Sequence, residues 1–161
     1  MDIADNSPNT IAEILGSEPT INELRVSRYR TEVTFRLPYD SYIVGDLYHP
    51  FPSIPDEPIA FHVSDFEVNE NMRRNGIGKK LLKKATLYAK EHDAKYLYGM
   101  VQNAEALRTR ASVFGKDNMR YYSSFLYGRK NEPFLTTFEE VIEKGYFPIY
   151  VLSDLSTVEI T

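Results

Sequence analysis

The sequence carries Arg73-Arg74-Asn75-Gly76-Ile77-Gly78 between two runs of different pattern. The preceding run, residues 59–68, is apolar and predicts a strand. In the following run, apolar side chains recur at spacings of three and four residues, which predicts an amphipathic helix with Ile77, Leu81, Ala85, Tyr88 and Ala89 on one face. A helix N-terminus has backbone N–H groups without intrahelical partners, and glycine lets a ligand approach the main chain closely. The loop therefore predicts an anion site that suits a diphosphate.

Strands and short helices are predicted on both sides of this unit. Alternation in residues 31–37 and Ser41–Tyr48 predicts a hairpin, and Tyr96–Val101 predicts a further strand. The order strand–helix–strand normally gives a parallel pair with a right-handed crossover. The remaining predicted elements are helices at residues 103–114, 118–125 and 137–144 and a closing strand at residues 147–152.

The chain of 161 residues fits one domain with a single core. Residues 1–20 are polar and rich in Pro, Asn and Asp, so we expect them to be poorly ordered, with at most a short helix at residues 10–15. No internal repeat and no linker divides the chain. We therefore expect a single domain over residues 1–161.

The composition excludes several kinds of site. Because the chain has no Cys, it cannot form disulfides, thiolate metal sites or a Cys nucleophile. His49 and His92 show no metal-ligand spacing, so no metal is expected. A net charge of −4 argues against nucleic-acid binding by the surface as a whole. No signal peptide and no apolar stretch of membrane-spanning length is visible, so we expect a cytoplasmic protein without a membrane partner.

Three well-known phosphate-binding motifs do not fit the loop. The dinucleotide fingerprint requires a third glycine at the position of Leu81. A Walker loop requires glycine at the position of Arg73 and a hydroxyl at the position of Lys80. A kinase glycine-rich loop lies between two strands, whereas this loop precedes a helix.

The stretch Val68-Asn69-Glu70-Asn71-Met72-Arg73-Arg74-Asn75-Gly76-Ile77-Gly78 resembles motif A of the GNAT superfamily of acyl-CoA-dependent N-acyltransferases. That motif reads Val-x-Pro-x-x-Arg-x-x-Gly-x-Gly/Ala, and Glu70 stands here in place of its frequent Pro. The resemblance covers residues 31–101 well and the remainder loosely. It implies an α/β (α+β) fold with a mixed, largely antiparallel central sheet and flanking helices.

The resemblance also implies a cofactor and a reaction. Acetyl-CoA would be the co-substrate, without a metal, and its acetyl group would pass to an amine of a small molecule or a protein. A homodimer would be compatible with such a protein. The residues implied to hold the coenzyme lie on the end of the fourth strand and in the loop after it: Phe66, Glu67, Val68, Arg73, Arg74, Asn75, Gly76, Ile77, Gly78 and Lys79.

Catalytic residues are implied by the same resemblance. The segment Tyr121-Tyr122-Ser123-Ser124-Phe125-Leu126-Tyr127 is similar to a family pattern with a Tyr near the coenzyme sulfur, so Tyr122 is either the acid for the leaving thiolate or a packed helix aromatic. His62 stands eleven residues before Arg73, where some members carry a Glu base, and a neutral imidazole could accept a proton. Asp65 and Glu67 are the alternatives, and strict strand alternation would put them on the face opposite His62. A structural role for His62 also stays open.

Two other functions remain open from the sequence. One is a GNAT-fold binding protein without turnover. The other is nucleic-acid recognition or modification, because basic and aromatic residues interleave at Arg108, Arg110, Lys116, Arg120, Tyr121 and Tyr122. The acceptor cannot be read, because the resemblance is weakest in the segments where such enzymes set their acceptor specificity.

Overall fold

In a computed structural model of the protein, residues 8–50, 58–70, 73–122 and 136–160 are described. Seven strands form one sheet in the order β1-β2-β3-β4-β5-β7-β6. These strands are β1 (Thr20–Arg25), β2 (Arg30–Leu37), β3 (Ser41–Tyr48), β4 (Ala60–Glu67), β5 (Tyr96–Val101), β6 (Met119–Tyr122) and β7 (Ile149–Asp154). All neighbouring strands pair antiparallel except β4 and β5, which are parallel. The predicted mixed, largely antiparallel sheet is thus confirmed.

Four α-helices accompany the sheet in the described ranges: α1 (Pro8–Gly16), α2 (Ile77–Glu91), α3 (Ala104–Phe114) and α4 (Phe138–Lys144). A short 3₁₀ turn, Lys116–Asn118, links α3 to β6. Helix α2 buries the apolar stripe that its sequence predicts. Its Tyr88 ring meets the buried rings of Phe35 and Phe61 edge-on, with centroids 5.4 and 6.2 Å away. Burial of large apolar side chains of this kind stabilises a fold by about 1.5–3 kcal/mol each.

Most elements lie where the sequence places them. The helix predicted at residues 10–15 is α1, and residues 1–7 lie outside the described residues. Poor order of residues 1–20 stays a prediction. Thr137 caps α4 by accepting a hydrogen bond from the Glu140 backbone N–H, and Gly145 ends this helix with a positive φ of 64°. Strand β1 was not predicted, because all six of its residues are exposed and show no apolar alternation.

The predicted helix at residues 118–125 is wrong over its described part. Residues 119–122 form β6 and pair antiparallel with β7, from Met119 opposite Ser153 to Tyr122 opposite Tyr150. The short run is rich in aromatic side chains that suit a half-buried sheet surface. Its partner strand lies almost thirty residues further along the chain, so local sequence does not reveal the pairing. Residues 123–125 lie outside the described residues.

Gly45 in β3 provides a test of this packing. A Cβ at this position would lie 2.2 Å from the ring of Phe61, which is fully buried. We expect Gly45→Ala to lower the free energy of unfolding by about 1–3 kcal/mol, because the core must move to accept the methyl group. Urea denaturation measures this change. Gly16→Ala is the matched control, since a Cβ there meets nothing within 4 Å, and equal stability of the two variants would contradict the packing described.

Candidate functional site

A cleft opens where β4 and β5 separate. The two strands pair from Ala60 opposite Tyr96 to Val63 opposite Gly99, and β4 then continues to Glu67 without β5 beside it. The cleft has a volume of about 500 Å³, and α3 forms its other wall through Ala106, Thr109 and Arg110. The strand edge that faces the cleft leaves main-chain N–H and C=O groups available to an extended ligand.

A β-bulge at Ser64 changes which side chains face together. Gly45 is opposite Val63, but the preceding residue Val44 is opposite Asp65, so Ser64 is an extra residue in β4. The bulge reverses the alternation after Val63. Asp65 therefore lies on the same face as His62, and so does Glu67. The expectation that strict alternation separates these carboxylates from His62 is wrong.

The loop at residues 73–78 closes the outer end of the cleft. Gly76 is the N-cap of α2 with a left-handed φ of 82°, and its own position offers no side-chain cap to the helix. A Cβ on Gly76 would meet nothing within 4 Å, so the space in front of this helix end is open. The positive end of the helix dipole adds to the charges of Arg73 and Arg74. A second cavity of about 580 Å³ lies here, bounded by the loop, Arg108 and Ser112.

The residues predicted to hold the coenzyme divide into three groups. The first group lines the cleft: Phe66, Glu67, Val68, Arg73 and Gly78. The second lines the cavity at the loop together with Arg73 and Gly78: Arg74, Gly76 and Lys79. The third group, Asn75 and Ile77, lines neither space. The Asn75 side-chain amide donates a hydrogen bond to the Arg73 carbonyl at 3.2 Å, and the Ile77 side chain is buried in the core. For Ile77, only the backbone N–H could face a ligand.

His62 lies at the inner end of the cleft. Its ring stacks on Tyr98 with centroids 4.8 Å apart, and its Nδ1 atom is 3.9 Å from a carboxylate oxygen of Asp46. Burial lowers the pKa of His62, and the positive charge of Arg110 lowers it further. The imidazole is therefore predominantly neutral near neutral pH and can accept a proton. Burial raises the pKa of Asp46, although Arg30 opposes this shift.

Arg110 is a second charged side chain at this inner end. It is only 3% exposed, and its Nη1 atom has no hydrogen-bond partner in the part of the chain that the structure describes. A Cβ built on Gly99 would come within 3.1 Å of its Nη2 atom, which places the guanidinium beside the last residue of β5 that pairs with β4. Burial lowers its pKa from 12.5 to about 10, so the group stays positively charged at neutral pH.

Comparison with known proteins agrees with this geometry. The model of the Acetyltransferase (GNAT) family matches residues 21–115, more than half of the chain. The chain belongs to this family. None of the curated proteins compared with it matches.

Two solved structures resemble this GNAT protein at low identity. One is an acetyltransferase of Bacillus subtilis in complex with CoA, at 12% identity and a TM-score of 0.45, with 85% of this chain and 99% of that chain covered. The other is assigned as an acetyltransferase of Agrobacterium tumefaciens, at 18% identity and a TM-score of 0.45, with 99% of this chain and 96% of that chain covered. Likenesses this distant supply no site residue and no substrate for this protein.

The structure does not bring Tyr122 to the cleft. Tyr122 is buried in β6, in a cluster with Tyr96 and Leu152, and it is absent from the described residues that line either cavity. The helix that follows β5 and faces the cleft is α3, which contains no tyrosine. The geometry therefore does not support Tyr122 as the acid for a leaving thiolate.

The burial of Arg110 beside the cleft was not predicted, because the sequence analysis grouped it with basic and aromatic residues of a possible binding surface. The spacing of Arg110 from its apolar neighbours in the sequence does indicate that it is buried. Arg110 follows Leu107 by three residues and precedes Phe114 by four, so it shares the buried face of α3. A charge on an apolar stripe is uncommon and indicates either a buried partner or a functional site.

No helix in the described ranges is long and apolar enough to cross a membrane. Within the same ranges, no group of three or more His, Asp or Glu side chains is arranged to hold a metal ion.

The depressed pKa of His62 can be measured directly. We expect its imidazole to titrate below the ordinary value of 6.5 in the folded protein. Because the unfolded chain then binds the proton more readily, this residue reduces stability as the pH falls below about 6.5. NMR titration, with the signal assigned through His62→Gln, gives the value. Arg110→Met should raise the His62 pKa partly toward 6.5, because it removes the charge effect and leaves the larger effect of burial. A His62 pKa at or above 6.5 in the wild-type protein would contradict the burial of the imidazole described above.

Proposed function

We propose that this protein transfers the acetyl group of acetyl-CoA to an amine. The observation that carries the proposal is a continuous path from the loop at residues 73–78 to the point where β4 and β5 separate. The loop cavity and the cleft share Val68, Arg73 and Gly78, so a single extended ligand could occupy both. Family membership supports the same class of reaction.

The loop suits the diphosphate of the coenzyme. Free N–H groups at the start of α2, the helix dipole and nearby cationic side chains all favour an anion at this place. The Arg73 Nε atom donates to the Val68 carbonyl at 3.3 Å, and its Nη2 atom lies 3.8 Å from Glu67. These contacts hold the guanidinium at the junction between the loop and β4. Arg73 can thus contact a diphosphate without crossing the cleft.

The cleft suits the pantetheine arm. Between its phosphate and its sulfur, this arm has about twelve bonded atoms, which equals the main chain of about four extended residues. Four residues also separate Val68, next to the loop, from Ser64 at the bulge. The two amide groups of the arm could pair with the free edge of β4 as an added strand does. The thioester would then lie beside Val63 and Gly99.

His62 would serve as the base for the acceptor. The amine attacks the thioester carbonyl carbon, a C–N bond forms, the C–S bond breaks and the amine loses a proton. The neutral His62 imidazole lies at the inner end of the cleft, where that proton is released in this arrangement. Asp65 and Glu67 lie on the same face and are the alternative acceptors. Glu67 is half-exposed, and its carboxylate lies 3.8 Å from the Arg73 guanidinium at the loop end of the cleft.

Calorimetric titration with acetyl-CoA, CoA, NAD and ATP tests the coenzyme. We expect binding of both CoA species, and a loss of about tenfold or more in affinity for the Gly76→Glu variant, whose carboxylate would occupy the open anion site. Gly145→Glu is the matched control. Gly145 also has a positive φ, and a Cβ there also meets nothing within 4 Å, but it ends α4 away from the loop.

The possible results separate the alternative functions. Binding of NAD or ATP without CoA would reject the proposal, as would equal loss of affinity in the two glutamate variants. Binding of CoA without transfer to any amine would favour a binding protein without turnover. Salt-dependent binding of DNA or RNA at low ionic strength would instead favour nucleic-acid recognition. A cytoplasmic location, a single domain and a homodimer remain predictions.

Transfer to a panel of small amines and lysine peptides tests the base. We expect His62→Gln to lower kcat/KM by about 10²- to 10⁴-fold, the range for removal of a general base, while the Kd of CoA stays unchanged. Asp65→Asn is the control because it removes a carboxylate from the same face. A larger loss in Asp65→Asn than in His62→Gln would assign the base to Asp65.

A further inference from the structure

We propose that Arg110 is a catalytic residue that stabilises the coenzyme thiolate as it leaves. This inference rests on the proposed function and names the group that acts on the sulfur. It requires the guanidinium to lie where the sulfur would be, to be charged, and to have a donor without a partner among the described residues. The structure supports each of these conditions.

The position of Arg110 matches the inner end of the coenzyme arm. Gly99 is the last residue of β5 that pairs with β4, and the Arg110 Nη2 atom lies over it. A pantetheine arm that starts at the loop and follows β4 ends near this point. Thr109, the residue before Arg110, lines both the loop cavity and the cleft. Helix α3 therefore borders both spaces, and the Arg110 guanidinium lies beside Gly99, where β4 and β5 stop pairing.

The guanidinium has an unused donor. Its Nη1 atom is buried, and no described residue forms a hydrogen bond with it. No described carboxylate lies within ion-pair distance of Arg110, whereas Arg30 and Arg73 each have one. A buried charge without a counter-ion costs several kcal/mol, and an apolar side chain of similar size would remove that cost. An anion that forms in the cleft would offset this cost only while it is present.

The thiolate meets this requirement. When the C–S bond breaks, its electron pair stays on sulfur, and the amine proton moves to His62. Burial lowers the pKa of Arg110 only to about 10, so the guanidinium is already protonated at neutral pH before the sulfur leaves. The guanidinium therefore keeps its proton and acts through its charge and hydrogen bonds. Such preorganised donors act most strongly on charge that appears during the reaction.

Other charged and titratable groups line the cleft and must be considered in any pH dependence. They come from β4, the loop, α3 and β7: His62, Asp65, Glu67, Arg73, Glu105 and Tyr150. Of these, His62 has its pKa lowered by burial and further by the Arg110 charge. Asp65 accepts a hydrogen bond from the Tyr42 hydroxyl at 3.1 Å, which keeps its carboxylate toward β3.

The thiol of bound CoA provides a direct test that needs no acceptor. The protein has no cysteine, so the coenzyme carries the only thiol of the complex, and its thiolate absorbance is obtained by subtracting the titration of the complex with desulfo-CoA, which contains the same twelve tyrosines. We expect the thiol pKa in the wild-type complex to lie about 1–3 units below that of free CoA, as for a group beside an opposite charge. Arg110→Met and Arg110→Gln should abolish the shift, and Arg110→Lys should retain part of it.

Arg120→Met is the matched control, because it removes a guanidinium from an exposed position on β6 outside the cleft. It should leave the shift unchanged. Circular dichroism verifies the fold of each variant. A wild-type complex whose thiol pKa equals that of free CoA overturns the role of Arg110, whatever the variants do. A shift that persists in Arg110→Met or Arg110→Gln also overturns it. Failure of the wild-type protein to bind CoA would instead reject the proposed function.

Discussion

The site depends on the short parallel pairing of β4 and β5. A Cβ on Gly99 would lie 2.7 Å from the Val63 carbonyl oxygen, so the strands approach closely only because this position has no side chain. Immediately afterwards the bulge at Ser64 adds a residue to β4 and bends the strand. Close contact at one residue and a bulge at the next make the two strands part. Their separation produces the cleft and leaves one edge of β4 without a partner strand.

Two positively charged regions lie at opposite ends of this cleft. At the outer end, Arg73 and Arg74 are accessible to solvent beside the start of α2, where screening is strong. At the inner end, Arg110 is buried and its field is screened much less. The outer region suits a permanent anion that must bind and leave. The inner region suits a charge that exists briefly, because a permanent partner there would be held too firmly for turnover.

Features that depend on residues close together in the sequence could be predicted, whereas features that depend on contacts between distant segments could not. The loop and α2 could be predicted because glycine positions and apolar spacing are local. The faces of Asp65 and Glu67 could not, because one extra residue in β4 reverses the alternation and only the register with β3 reveals it. Strand β6 was missed since its partner β7 is distant in sequence. The burial of Arg110 was not predicted, because charged side chains are normally exposed. Its spacing from Leu107 and Phe114 nevertheless places it on the buried face of α3.

The Arg110 charge also links the two proton-dependent steps of the proposed reaction. Before transfer it helps to lower the pKa of His62, which keeps the imidazole neutral and able to accept the amine proton. Once the thiolate forms beside Arg110, the negative charge offsets the guanidinium, so one of the two causes of that depression is removed. The affinity of His62 for a proton then rises at the step in which it must hold one. A neutral donor at position 110 could hydrogen-bond the sulfur, but it would not couple the base to the leaving group in this way.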